Sequence, residues 1–177
     1  MKLEIRFSGF GGQGVILASV ILGKAAILEG KNAVQTQAYG PEKRGSLLRS
    51  DIIITENEEI NYATIEKADV LVAMSEKALK KHQHDVKANG MIIFDTQMIR
   101  NKELLDKNLN LKGIPALHIA DMIKNKLAFN IILLGYLVKL KKIVKKESLF
   151  KVLEKSVKKK YLEINKKAIE EGFKYNN

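Results

Sequence analysis

The chain has 177 residues, 46% hydrophobic and 29% charged, a balance that suits one globular domain spanning residues 1–177. It contains no Cys, which excludes disulfides, thiolate catalysis and Cys-held zinc or iron–sulfur centres on this chain. The formal net charge is +11, but only four of the 31 basic residues are Arg and aromatic residues make up 6%, so base reading and stacking are poorly served and no nucleic-acid partner is expected.

Leu3 to Ser8 alternates apolar Leu3, Ile5 and Phe7 with Glu4 and Arg6, which predicts a strand. Gly9-Phe10-Gly11-Gly12-Gln13-Gly14 follows directly. Val15 to Glu29 then carries a helical period with a small-residue face, stopped by Gly30. Lys31 to Ala38 and the β-branched run Leu47 to Thr55 predict two further strands. Between them, Tyr39-Gly40-Pro41-Glu42-Lys43-Arg44-Gly45 is a loop rich in turn residues and charge. Asp69 to Met74 is a short apolar run of the kind found in buried parallel strands, and Ser75 is placed to cap a helix reaching about His84.

Asn89-Gly90 predicts a turn, Met91 to Phe94 a buried strand ending at Asp95, and Ile114 to His118 a final strand, with Asp121 near the start of the next helix. The longest apolar stretch, Leu127 to Val138, is broken by Asn130 and is shorter than the roughly 20 residues of a membrane span. With no secretory signal in the opening MKLEIRFSGFGG, a cytoplasmic protein without membrane contact is expected. From Ala128 onward the chain reads as helical, and from Lys139 it holds 13 Lys against 5 Glu. That excess suits a solvated face or a surface for acidic partners. The fold class is α/β: a Rossmann-like, mostly parallel sheet with flanking helices and a helical C-terminal segment.

Gly9, Gly11 and Gly14 satisfy G-x-G-x-x-G between a strand and a helix. Such glycines let the backbone approach a ligand, and the amides at a helix start favour an anion. Gly12 and Gln13 belong to the same loop. The second strand ends Gln35-Thr36-Gln37-Ala38, without the acid that holds the ribose of a nicotinamide dinucleotide. Dinucleotide binding, a simpler phosphate contact and a turn that only packs the helix all remain open. Tyr39, Gly40, Pro41, Glu42, Arg44 and Gly45 form the second candidate, a loop that on adjacent strands would face the same crevice, or else simply face solvent. His82 and His84 lack carboxylate partners at metal-binding spacing, and His118 reads as a core residue. Asn130 within an apolar helix either fixes a contact or faces a site. No catalytic residue and no metal site is assigned.

Taken together, the Gly9–Val15 and Tyr39–Gly45 motifs resemble the gamma subunits of 2-oxoacid:ferredoxin oxidoreductases. Ala68-Asp69-Val70-Leu71-Val72-Ala73-Met74, Gly113-Ile114-Pro115-Ala116, Phe129 to Gly135 and Asn165-Lys166-Lys167-Ala168 extend the likeness over nearly the whole chain. Gln35-Thr36-Gln37 leading into Tyr39-Gly40-Pro41-Glu42 is most similar to the 2-oxoglutarate type, as against the pyruvate and indolepyruvate types, while a branched-chain substrate such as ketoisovalerate stays open. Ser46 departs from the pattern, which has a second Gly there.

The resemblance implies a chain that holds no cofactor alone. Its complex would contain alpha, beta and ferredoxin-like delta subunits with thiamine diphosphate, iron–sulfur clusters and coenzyme A, and would reduce ferredoxin. It further implies that the two loops face the shared active region or a subunit interface, with Arg44 and the Gly11–Gly14 amides available to an anion. Exposed apolar surface and self-association of the isolated chain follow. A free-standing Rossmann-type nucleotide-binding enzyme is the alternative.

Overall fold

The computed structural model describes residues 1–40 and 46–176. Its six strands are β1 (Lys2–Phe10), β2 (Asn32–Tyr39), β3 (Leu47–Thr55), β4 (Ala68–Ala73), β5 (Val86–Asp95) and β6 (Asn110–Ile114). They form one sheet in the order β2-β3-β1-β4-β5-β6. β4 pairs parallel with β1, β5 with β4, and β6 with β5, whereas β3 is antiparallel to both β1 and β2. Thus β3 alone runs against the other five, and the sheet is mostly parallel in that sense.

The order departs from a doubly wound dinucleotide fold, in which the second strand lies beside the first. Here the crossover after β1 carries the chain to the far edge, and β3 returns to fill the gap. Helix α1 (Val15–Leu28) makes that crossover. Helix α2 (Glu76–His82) follows β4, with Ser75 Oγ accepting from the Ala78 amide as its cap. After β6 come α3 (Ala116–Met122), α4 (Phe129–Lys141), α5 (Lys146–Ser156) and α6 (Leu162–Lys174).

The period of two along each strand sorts the core into two faces. Leu3, Ile5 and Phe7 of β1, Ile52 and Ile54 of β3, and Val70 and Val72 of β4 pack under α1 and α3–α6. Leu71 and Ala73 of β4, with Ile92 and Phe94 of β5, pack under α2 and Ile99. Ile53 closes a smaller cluster with Ile65 and Ala68. Fully buried side chains such as Ile5, Phe7 and Leu22 each stabilise the fold by about 1.5–3 kcal/mol. Helix α4 is apolar on nearly every side because it lies inside the helical layer: every residue from Phe129 to Val138 is buried.

Two expectations need correction, and the burial of the polar side of β1 was not anticipated. Ile114 to His118 is not a strand. β6 ends at Ile114, Pro115 sits at the head of α3 with φ −79°, and His118 lies exposed on that helix, as Asp121 lies within it. Proline supplies a helix-compatible φ and lacks only an amide that the first turn would leave unpaired. Asn89-Gly90 is not a free turn either. It belongs to β5, where pairing jumps from Ala68↔Val86 to Val70↔Met91 and the intervening residues form a bulge. Finally, the polar side of β1 is not solvated: Arg6 is 1% exposed and Ser8 0%.

Arg6 tolerates that burial because every nitrogen of its guanidinium is engaged. Nε and Nη2 donate to the two Asp51 oxygens at 2.8 and 2.9 Å, Nη1 donates to Asp85 at 2.7 Å, and Nη2 also reaches the Ile65 carbonyl at 2.7 Å. Such a bidentate pair with its other nitrogen also bonded is the condition under which a buried charge is kept. His82 completes the group, with Nδ1 3.1 Å from the same Asp85 oxygen.

Candidate functional site

The strand-to-helix loop at Gly9–Gly14 is a braced turn. Gly12 and Gly14 adopt φ of +88° and +74°, the left-handed region that side chains resist. Gln13 holds the loop's shape: its Oε1 accepts from the Phe10 amide at 2.6 Å and its Nε2 donates to the Met74 carbonyl at 3.1 Å, tying the loop to the end of β4. Gly9 is a packing requirement, since a Cβ there would lie 2.5 Å from Gln13 Oε1 and 2.9 Å from Met74 Cβ.

Gly11 and Gly12 are different. Both are exposed, and a Cβ on either would meet nothing within 4 Å. Among the described residues nothing crowds them at the start of α1, a helix with no side-chain cap and no acidic residue in its first turn. Those first-turn amides keep their donors and the positive end of the helix dipole.

Asn130 resolves as a contact. It is 1% exposed on α4, and its Nδ2 donates to the Gly14 carbonyl at 3.0 Å. Its Oδ1 is buried without a partner. A Cβ on Gly14 would fall 2.1 Å from Asn130 Nδ2, so the glycine is also what lets α4 approach the head of α1.

Of the second loop, Tyr39 and Gly40 lie within the described residues, whereas Pro41, Glu42, Arg44 and Gly45 lie outside them. Tyr39 closes β2 and is 64% exposed, its hydroxyl donating to Gln37 Oε1 at 3.1 Å. The Gly40 amide donates to the Leu47 carbonyl at 2.9 Å, where β3 begins. The two loops do not follow neighbouring strands, because β3 stands between β1 and β2. The start of β3 nevertheless reaches the glycine loop: Phe10 pairs with Leu47, and the Gly11 amide points to the Ser46 carbonyl at 3.4 Å.

Two residues that the sequence did not single out, Arg49 and Lys81, adjoin this end of the sheet beside His82. Arg49, Lys81 and His82 line a cleft of about 160 Å³ with Tyr39, Gly40 and Leu47. His82 is held below its ordinary pKa, first by burial and further by Arg6 and Arg49, although Asp85 opposes this. Burial likewise works against the Arg6 charge, but Asp51 and Asp85 outweigh it and raise its pKa. The signal available in the sequence was the placing of Arg6 and Asp51 inside otherwise apolar strands, where only a matched pair is tolerable. No group of three or more His, Cys, Asp or Glu able to hold a metal occurs among the described residues.

Compared with known proteins, residues 4–175 match the family described as pyruvate ferredoxin/flavodoxin oxidoreductase. The chain belongs to that family. It is a gamma subunit of a 2-oxoacid:ferredoxin oxidoreductase and so one component of a multisubunit enzyme. Subunit KorC of 2-oxoglutarate synthase from Methanocaldococcus jannaschii is 42% identical over 98% of this chain and 93% of its own length. The gamma subunit of a keto/oxoacid ferredoxin oxidoreductase from Geobacter sulfurreducens superposes with a TM-score of 0.84 at 35% identity, covering 97% of this chain and 96% of that one. Subunit VorA of a ketoisovalerate oxidoreductase from Methanothermobacter marburgensis is 32% identical over 97% of this chain but only 36% of its own length. The free-standing nucleotide-binding enzyme falls away, since the strand that would carry the ribose acid lies at the sheet edge, two places from β1.

Proposed function

We propose that this gamma subunit serves a 2-oxoglutarate:ferredoxin oxidoreductase, and that its glycine loop binds an anionic portion of coenzyme A. Coenzyme A would supply the thiol that accepts the acyl group. The observation that carries the loop assignment is the uncapped start of α1 opening onto unoccluded Gly11 and Gly12. Phosphate oxygens suit such amides, and we propose Arg44, which lies outside the described residues, as a further cationic partner for them. As the family resemblance implies, thiamine diphosphate and the iron–sulfur clusters belong on alpha, beta and ferredoxin-like delta chains, and this chain has no Cys to ligate a cluster. Ferredoxin is the electron acceptor and the cytoplasm the compartment in this proposal; the described residues include no helix long and apolar enough to cross a membrane.

Replacing Gly11→Asp in the assembled enzyme places a carboxylate where no described residue lies within 4 Å of the new Cβ. The KM for coenzyme A should rise about tenfold, matching the roughly 1.4 kcal/mol of one lost charge-assisted contact, with kcat and subunit composition little changed. An unchanged KM would refute the loop assignment. Assaying the same preparation with individual 2-oxo acids tests the substrate: 2-oxoglutarate should be the fastest, and faster turnover of pyruvate or ketoisovalerate would overturn that choice.

A further inference from the structure

On the helical side of the molecule, α1 and α5 enclose a groove of about 420 Å³. Its α1 wall is Lys24, Ile27 and Leu28, one turn of a single helix face, with Ile27 58% and Leu28 51% exposed. Its α5 wall is Lys151, Val152 and Lys155. Lys151 and Lys155 stand one turn apart, where like charges disfavour the helix by a few tenths of a kcal/mol. Glu154, the carboxylate in the lining, is already engaged by Lys166 at 2.9 Å. Lys24, Lys151 and Lys155 have no acidic partner among the described residues.

We propose that this groove seats an acidic amphipathic helix from another, permanently bound chain of the complex. Its apolar residues would cover Ile27, Leu28 and Val152, and its Asp and Glu side chains would face Lys24, Lys151 and Lys155. The apolar floor argues for lasting cover, since contiguous exposed apolar side chains on a soluble surface mark an interaction site. A groove between two packed helices accepts the apolar face of a third. Charge selects the occupant: a second copy of this chain, itself at +11, would set like charge against like, whereas an acidic segment relieves three unpaired ammonium groups. The proposal is independent of the coenzyme A assignment and of which 2-oxo acid is used.

The test uses the intact assembly, purified through a tag on this chain and treated with a water-soluble carbodiimide, which joins touching ammonium and carboxylate groups without a spacer. Mass spectrometry should find Lys24, Lys151 or Lys155 joined to an Asp- and Glu-containing segment of a different subunit. Acylation of these lysines by an amine reagent should also be at least tenfold slower than that of exposed Lys80. The exposed pair Lys151→Glu/Lys155→Glu should recover at least tenfold less of that subunit, while the variant chain keeps its circular dichroism and melting temperature. Links only to a second copy of this chain, acylation as fast as at Lys80, or full recovery of the subunit by the variant would each overturn the proposal.

Discussion

Arg6 and His82 show how single residues couple the interior to pH. The pKa of His82 is lowered in the folded protein by burial, with Arg6 and Arg49 adding to the effect. The unfolded chain, with His near about 6.5, therefore takes up a proton first as the pH falls. The stability contributed by neutral His82 is complete above that value and is lost as pH drops toward the folded pKa. The urea midpoint should fall between about pH 7.5 and 5.5, and His82→Gln should flatten that slope. Equal slopes in the two proteins would show that another group titrates there. Glu4, also held low against its burial by Lys2 and Lys87, acts in the same direction but near the carboxylate range, below this window. Asp95 plays a quieter part: fully buried, it accepts the amides of Gln97 and Met98 at 2.8 Å and of Leu117 at 2.6 Å, so one carboxylate shapes the turn after β5 and the start of α3. Asp95→Ala removes the shared acceptor of three part-buried amides and should lower stability by about 2 kcal/mol, read from chemical denaturation.

Among the elements, those with a strong local signal were legible in the sequence. The bounds of β3 coincide with the β-branched run, and α1 lies between a glycine turn and Gly30, whose φ is +80°. Ile114 to His118 misled because five apolar-rich residues do not distinguish a strand from a helix start, and Pro115 suits both an edge strand and a first turn. The bulge at Lys87–Gly90 was illegible for another reason: it exists only relative to the register of β4. Sheet order is likewise non-local, so the insertion of β3 beside β1 could not be read from the two strands separately. The contact of α4 with α6 is a further case. A Cβ on Gly172 would lie 2.3 Å from the Ile132 carbonyl and 2.8 Å from the Tyr136 amide, both backbone atoms that cannot swing aside. Gly172→Ala should force the helices apart at a cost of about 2 kcal/mol, lowering the melting temperature by roughly 4–8 °C. A melting temperature equal to that of the wild type would show that the two helices separate freely.

For the whole molecule, the uneven spread of charge and apolar surface sets its behaviour alone. Met122 and Leu127, 70% and 79% exposed, flank the junction of α3 and α4, away from the lysine-rimmed groove. The chain purified without its partners should self-associate through this patch, with sedimentation that depends on protein concentration and little on salt. Leu127→Asp should restore the monomer; a wild-type chain that stays monomeric at high concentration would refute the idea. Of the candidate site, the glycine turn between β1 and α1 was legible because a strand–glycine–helix pattern is local. Its brace was not: Asn130 stands 116 residues from Gly14. That separation matters during synthesis. The ribosome delivers the glycines early, yet the amide that grips Gly14 does not exist until α4 has been made. A nascent or truncated chain therefore displays the loop's sequence without its fixed shape, and completion of the helical layer is what turns the one into the other.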